Sequence, residues 1–189
     1  MSTAEVDDEV ALLGRVRAQV FALQLDEGLI PSMGVGEVHE LAVSIDDWQV
    51  KEADDDGMEY LITDDDSWSV CRGVLRRDDT PGPDDGLLRV ETCGQGFLLH
   101  GTTSNPPPPD RPVFIEGFVS VEPVRMPVFG FPNPRARPMR RPWRVVALHR
   151  EILPRGGVGG RKPATAIDRL PEPRDVDTGS YYFADLVLP

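Results

Sequence analysis

The sequence predicts an all-β fold: a single small barrel or sandwich, closed rather than open, with long loops rich in proline and glycine. Three observations lead there. Short runs in which apolar and polar residues alternate recur along the chain, the mark of strands with one buried face. Proline (19 residues) and glycine (18) are abundant, which calls for many turns. No amphipathic stretch longer than about ten residues can be drawn at helical period, so at least about 35% strand and under about 15% helix are expected.

The elements follow in order. Residues 1–13 are acidic and without period, a flexible tail. Arg15 to Leu25 largely alternates and reads as the first strand, closed by a turn at Asp26-Glu27-Gly28. Val38 to Ile45 is the second, with Leu41, Val43 and Ile45 on one face. Met58–Thr63, Trp68–Leu75, Leu87–Cys93 and Phe97–Thr102 are further strands, separated by turns rich in Asp, Pro and Gly.

A polyproline run, Pro106–Pro109, sits in a loop at about 104–112. Val113–Val121 and Trp143–Ile152 are strands, and the five prolines between Pro127 and Pro142 make 125–142 a loop, since proline donates no ladder hydrogen bond. A third loop covers 154–178, and the apolar end, Tyr181–Leu188, docks as a last strand. The ordered stretch after the proline run is too short to bury its own core, so 14–189 is expected to be one β domain.

Net charge is −12, but the two parts of the chain differ. Residues 1–110 carry 24 acids against 7 bases, and 111–189 carry 13 bases against 8 acids. Ten of those bases and one acid lie between Arg125 and Lys162. No apolar run reaches the roughly eighteen residues of a membrane span, and the N-terminus is acidic where a signal peptide is basic; a cytoplasmic protein with no membrane partner is expected.

Tests for known chemistry fail one by one. Placing Gly57 at position six of a calcium loop puts acids at 52, 54 and 56, but Thr63 falls where the closing glutamate belongs, so the run is a solvated turn. Gly156–Lys162 lacks the first glycine of a phosphate-binding loop, and Pro163 replaces the hydroxyl that would bind magnesium. Cys71 and Cys93 form no C-x-x-C pair and read as small buried hydrophobes. His39, His100 and His149 are scattered singly, which argues for structural histidines and against a zinc site. No catalytic, cofactor or metal residue is assigned.

The Arg-rich loop remains. Phe129 and Phe131 stand beside Arg135, Arg137, Arg140 and Arg141, with Trp143 and Arg144 directly after. Arginine bonds carboxylate or phosphate bidentately, and aromatic rings fill a pocket or stack on bases. These eight residues are the candidate partner-binding set. The competing reading pairs the arginines with acidic turns of the same molecule.

Phe114–Val119, Trp143–Val146 and the aromatic-Asp-Leu segment at the C-terminus resemble OB-like β-barrel proteins of high-GC bacteria that carry no assigned activity. The resemblance implies a closed β fold and transfers no functional residue. The expected function is a non-enzymatic protein-binding or regulatory module, such as an acidic inhibitor or immunity-type protein. The alternatives are an OB-like binder of single-stranded nucleic acid through the loop 125–144, disfavoured by the net charge, and an enzyme with an unrecognised site.

Overall fold

Alternation along the chain becomes strand along most of its length: 59% of the described residues are strand, with almost no helix. The computed structural model describes residues 15–77, 88–100, 106–123, 140–152 and 164–189. In chain order the elements are β1 (Val16–Val20), α1 (Ala22–Asp26), β2 (Val38–Leu41), β3 (Val43–Glu52), β4 (Tyr60–Thr63), β5 (Trp68–Arg77), β6 (Leu88–Thr92), β7 (Gln95–His100), β8 (Pro112–Val121), β9 (Arg141–Ile152), β10 (Thr165–Ile167), a 3-10 turn (Pro173–Asp175) and β11 (Ser180–Val187).

Contacts divide the chain into two compact units, Met1–Val16 with Ser44–Val119, and Arg17–Val43 with Ser120–Pro189. Neither boundary falls at the polyproline run, which lies inside the first unit.

The first unit holds a closed five-strand barrel. β3 runs parallel to β7 (Ile45 opposite Leu99), β7 is antiparallel to β6, and β6 is antiparallel to β5. β5 is antiparallel to β8 from Trp68–Phe118 to Val74–Pro112, and β8 neighbours β3 to complete the ring. Ile45, Leu75, Val90, Phe97, Val113 and Ile115 are fully buried apolar side chains of this unit.

Two glycines allow the strands to close. A Cβ on Gly117 would lie 2.6 Å from Ile45 Cγ2 and 2.7 Å from the Asp46 carbonyl, and one on Gly73 would collide with the Glu91 carbonyl. Any larger residue at either position would push neighbouring strands apart.

Turn chemistry behaves as the Asp-rich segments suggest. Asp64 Oδ1 accepts from the amides of Asp66 and Trp68, both at 2.9 Å, and shapes the β4–β5 hairpin. The β6–β7 hairpin turns on Cys93 and Gly94, both at positive φ (51° and 73°), the backbone twist that two-residue hairpins favour. Cys93 is therefore exposed at a turn, not a buried strand residue; Cys71, on β5, is buried as expected.

In the second unit β9 is the organising strand. β11 pairs along Arg144–Ile152, while β2 pairs with Arg141–Arg144 and β10 with Leu148–Arg150. A bulge sits opposite Asp185/Leu186: Asp185 pairs with Ala147 but Leu186 with Val145, leaving Val146 as the extra residue. It shifts the core face of β9 from the odd positions Trp143 and Val145 to the even position Leu148. Tyr182, Ala184 and Leu186 of β11 are buried in the same unit.

Several elements differ from the sequence reading. The first strand stops at Val20, and Ala22–Asp26 forms α1, with the Leu25 amide bonded to the Phe21 carbonyl and the Glu27 amide to that of Leu23. Its 3.6-residue period is too brief to register against the flanking alternation. Val38–Ile45 splits into β2 and β3, which take different partners, β9 and β7. The stretch read as a loop at 154–178 contains β10 and the 3-10 turn.

Candidate functional site

The sequence-derived partner set is divided by the structure. Phe129, Phe131, Arg135 and Arg137 lie outside the described residues. Arg140 is half-buried, with its carbonyl accepting from Arg141 Nη1 at 2.8 Å. Arg141 and Arg144 are exposed on β9. Trp143 points away from Arg144 and is only 2% exposed, so its ring belongs to the core and is removed from any contact surface. Alternation along β9 imposes this separation, because successive side chains face opposite sides of the sheet; Arg141, two residues before Trp143 and opposite buried Leu41, starts the strand on the Trp143 side.

Around Arg144 the register builds a surface. Arg144 stands opposite Val38 of β2 on one side and Val187 of β11 on the other, and Pro142 stands opposite Glu40. Val38 is 46% exposed, and Val35, Val146 and Leu188 are exposed as well. The outer face of β2 and β9 thus presents Val38 and Val146 with Arg144 and Glu40 among them.

This face is held rigid from one end. Glu37 accepts from the Gly34 amide at 2.9 Å, from His39 Nε2 at 2.9 Å and from the Arg169 guanidinium. Those donors hold its carboxyl at about 2, the Gly34 amide contributing most, followed by His39 and Arg169. The amide of Gly36 bonds the Val145 carbonyl and that of Val145 the Glu37 carbonyl, so the segment entering β2 is stitched to β9.

A second cluster in the same unit was not assigned from the sequence. Asp185, fully buried on β11, receives Arg17 Nε on Oδ1 at 2.6 Å and Arg17 Nη2 on Oδ2 at 2.9 Å, and His149 Nε2 lies 3.0 Å from the same Oδ2. The same Nε2 lies 3.2 Å from Arg17 Nη2, so its role follows the tautomer: protonated there, it donates to Asp185, and otherwise it accepts from Arg17. Arg17 and His149 alternate with apolar neighbours and Asp185 interrupts an apolar run; those interruptions were the available signal. The arrangement neutralises a buried charge and orients His149 as a structural histidine.

Internal pairing also claims part of the basic run. Arg150 donates to Asp177 Oδ2 at 2.5 Å and to Ser180 Oγ at 3.0 Å; outside that run, Arg76 bridges Glu91 (3.0 Å) and Asp110. Arg150 lies in the basic run but outside the candidate partner set; within that set, Arg144 donates to the Gly36 carbonyl at 3.4 Å.

The first unit is acidic at its surface. Its described residues from Ser44 onward carry thirteen acids against six bases, and Asp54, Asp55, Asp56, Asp64, Asp65 and Asp66 are all exposed. No helix of the described residues is long and apolar enough to cross a membrane. No protein-family model, curated protein or solved structure matches the chain.

Proposed function

We propose that this protein is a non-enzymatic protein-binding module of the regulatory or inhibitor type, an OB-like barrel unit joined in one chain to a second unit that carries the contact face. The observation that supports this most is the outer face of β2 and β9. There Val38 and Val146 are exposed beside Arg144 on a strand pair clamped by Glu37. Exposed apolar side chains framed by arginine, on a rigid support, have the composition of a protein interface, where a central apolar contact is set among polar residues.

The OB-like reading of the first unit is supported by its closed ring of five strands. The surface charge of that unit argues against nucleic acid as the partner, since phosphate is repelled by thirteen acids against six bases.

The test is site-specific crosslinking. A photoreactive phenylalanine analogue placed at Val146 is expected to capture a discrete protein in cell extract, and Val38→Asp with Arg144→Glu is expected to abolish that capture. The same analogue at Lys51, in the other unit, serves as control. Equal capture by parent and double variant, or measurable oligonucleotide affinity at physiological salt, would overturn the reading.

A further inference from the structure

A second surface, independent of the β2–β9 face, lies on the first unit around β4. Among the described residues β4 has β5 as its one partner strand. Tyr60 pairs with Arg72 on the edge of β5 that β6 takes over from Val74 onward, so β4 and β6 lie end to end. β7 starts at Gln95, across the turn from Thr92, and does not extend beside β4.

The hydrogen-bond phase follows from the hairpin. Asp64 donates its amide to the Trp68 carbonyl at 2.9 Å, which makes 64–68 a bonded pair. Bonded pairs recur every second residue, so Ile62 and Tyr60 bond β5 while the main chain of Leu61 faces the opposite edge.

The side chains on this face are mostly apolar, with Arg72 and Glu116 the charged exceptions. Tyr60, Arg72 and Phe114 form one cross-strand row, Ile62, Val70 and Glu116 the next, and Trp68 and Phe118 a third. Ile62 is 65% exposed, Met58 85%, and Phe118 is exposed too, its ring edge-on to Trp68 at 4.9 Å. The one cation in the rows is withdrawn: Arg72 is buried, its guanidinium bonded to the Asp54 carbonyl and lying over the Phe114 ring at 5.8 Å. That bond also places the Asp54–Asp56 turn at the start of β4, and Asp64–Asp66 closes its end. Six exposed aspartates therefore bracket an exposed apolar strand.

We infer that β4 is a strand-addition site for an extended basic peptide segment, in which cationic side chains meet Asp54, Asp55, Asp56 and Asp64 and alternate apolar side chains cover Ile62 and Met58. Main-chain pairing supplies the alignment and the alternating side chains the selectivity. Aromatic rings on this face could stack nucleic-acid bases, but the six aspartates repel the phosphates that would accompany them.

The probe is a fluorescein-labelled octapeptide of alternating lysine and valine, titrated with the full chain and read by fluorescence anisotropy at low and physiological salt. Saturable binding that weakens with salt is expected, with none for the glutamate–valine counterpart. The same peptide N-methylated at alternate residues keeps its charge but loses one row of main-chain donors, and its Kd is expected to rise about tenfold. Ile62→Ser is expected to weaken binding by a similar factor and Ile62→Val to restore it; the position is exposed, so the fold is not at stake. Equal affinity for the methylated peptide would overturn strand addition, and equal affinity of Ile62→Ser would overturn the site. Val38→Asp with Arg144→Glu must leave the peptide affinity unchanged, so failure here and failure of the β2–β9 face are separate results.

Discussion

Arg17 and Asp185 lie 168 residues apart in the chain and meet through two N–H···O bonds of 2.6 Å and 2.9 Å, the carboxylate fully buried. Removing the guanidinium would take from the buried carboxylate the cation that makes two of its hydrogen bonds, which costs more than the intact pair contributes. Arg17→Met is expected to lower stability by about 3–5 kcal/mol in urea denaturation, and Arg17→Met with Asp185→Leu to recover most of that loss. A single variant as stable as the parent would show that Asp185 is solvated or otherwise neutralised.

Glu37 gives the fold a defined acid dependence. Its carboxyl sits at about 2 against an ordinary 4.5, so the folded state favours the ionised form. The stability it contributes is complete above about 4.5 and is lost as pH falls toward 2. Asp177, lowered chiefly by the Gly179 amide and then by Ser180 and Arg150, acts in the same sense. Urea midpoints measured from pH 7 down to 2 should fall less steeply for Glu37→Gln than for the parent; parallel curves would remove Glu37 from the account.

The two thiols are expected to react very differently. Burial pushes Cys71 up to about 12, whereas Cys93 is exposed on the β6–β7 turn. Thiolate is the reactive form, so a disulfide reagent at pH 8 should label one thiol in the native protein and two after denaturation. Cys93→Ser should abolish native labelling. Rapid labelling of that variant would mean that Cys71 is reached by opening of β5.

Barrel closure depends on Gly73 and Gly117, where an added Cβ meets a backbone carbonyl rather than a yielding side-chain tip. Gly117→Ala and Gly73→Ala are each expected to cost about 1–3 kcal/mol by overpacking, with circular dichroism still of the strand type. Unchanged urea midpoints would show that the strands part without strain.

Strands and turns were legible because their causes are local. Alternation in Trp68–Leu75 or Val113–Val121 declares a face to bury, and Asp64–Asp66 caps a hairpin with its own side chain; no distant residue is needed for either. The division of charge between the two parts of the chain is likewise a property of composition. Partner choice is different in kind. Period-two patterning states which residues share a face but not which strand lies alongside, so the parallel junction of β3 with β7 and the split of Val38–Ile45 between two partners came only with the tertiary structure. The same holds for the candidate sites. Trp143 and Arg144 are adjacent in sequence, yet packing buries one and exposes the other, while Arg17, His149 and Asp185 come together only because strands from opposite ends of the chain lie side by side. Those contacts draw their free energy from burial and desolvation that exist once the chain has folded, and no local pattern of residues encodes them.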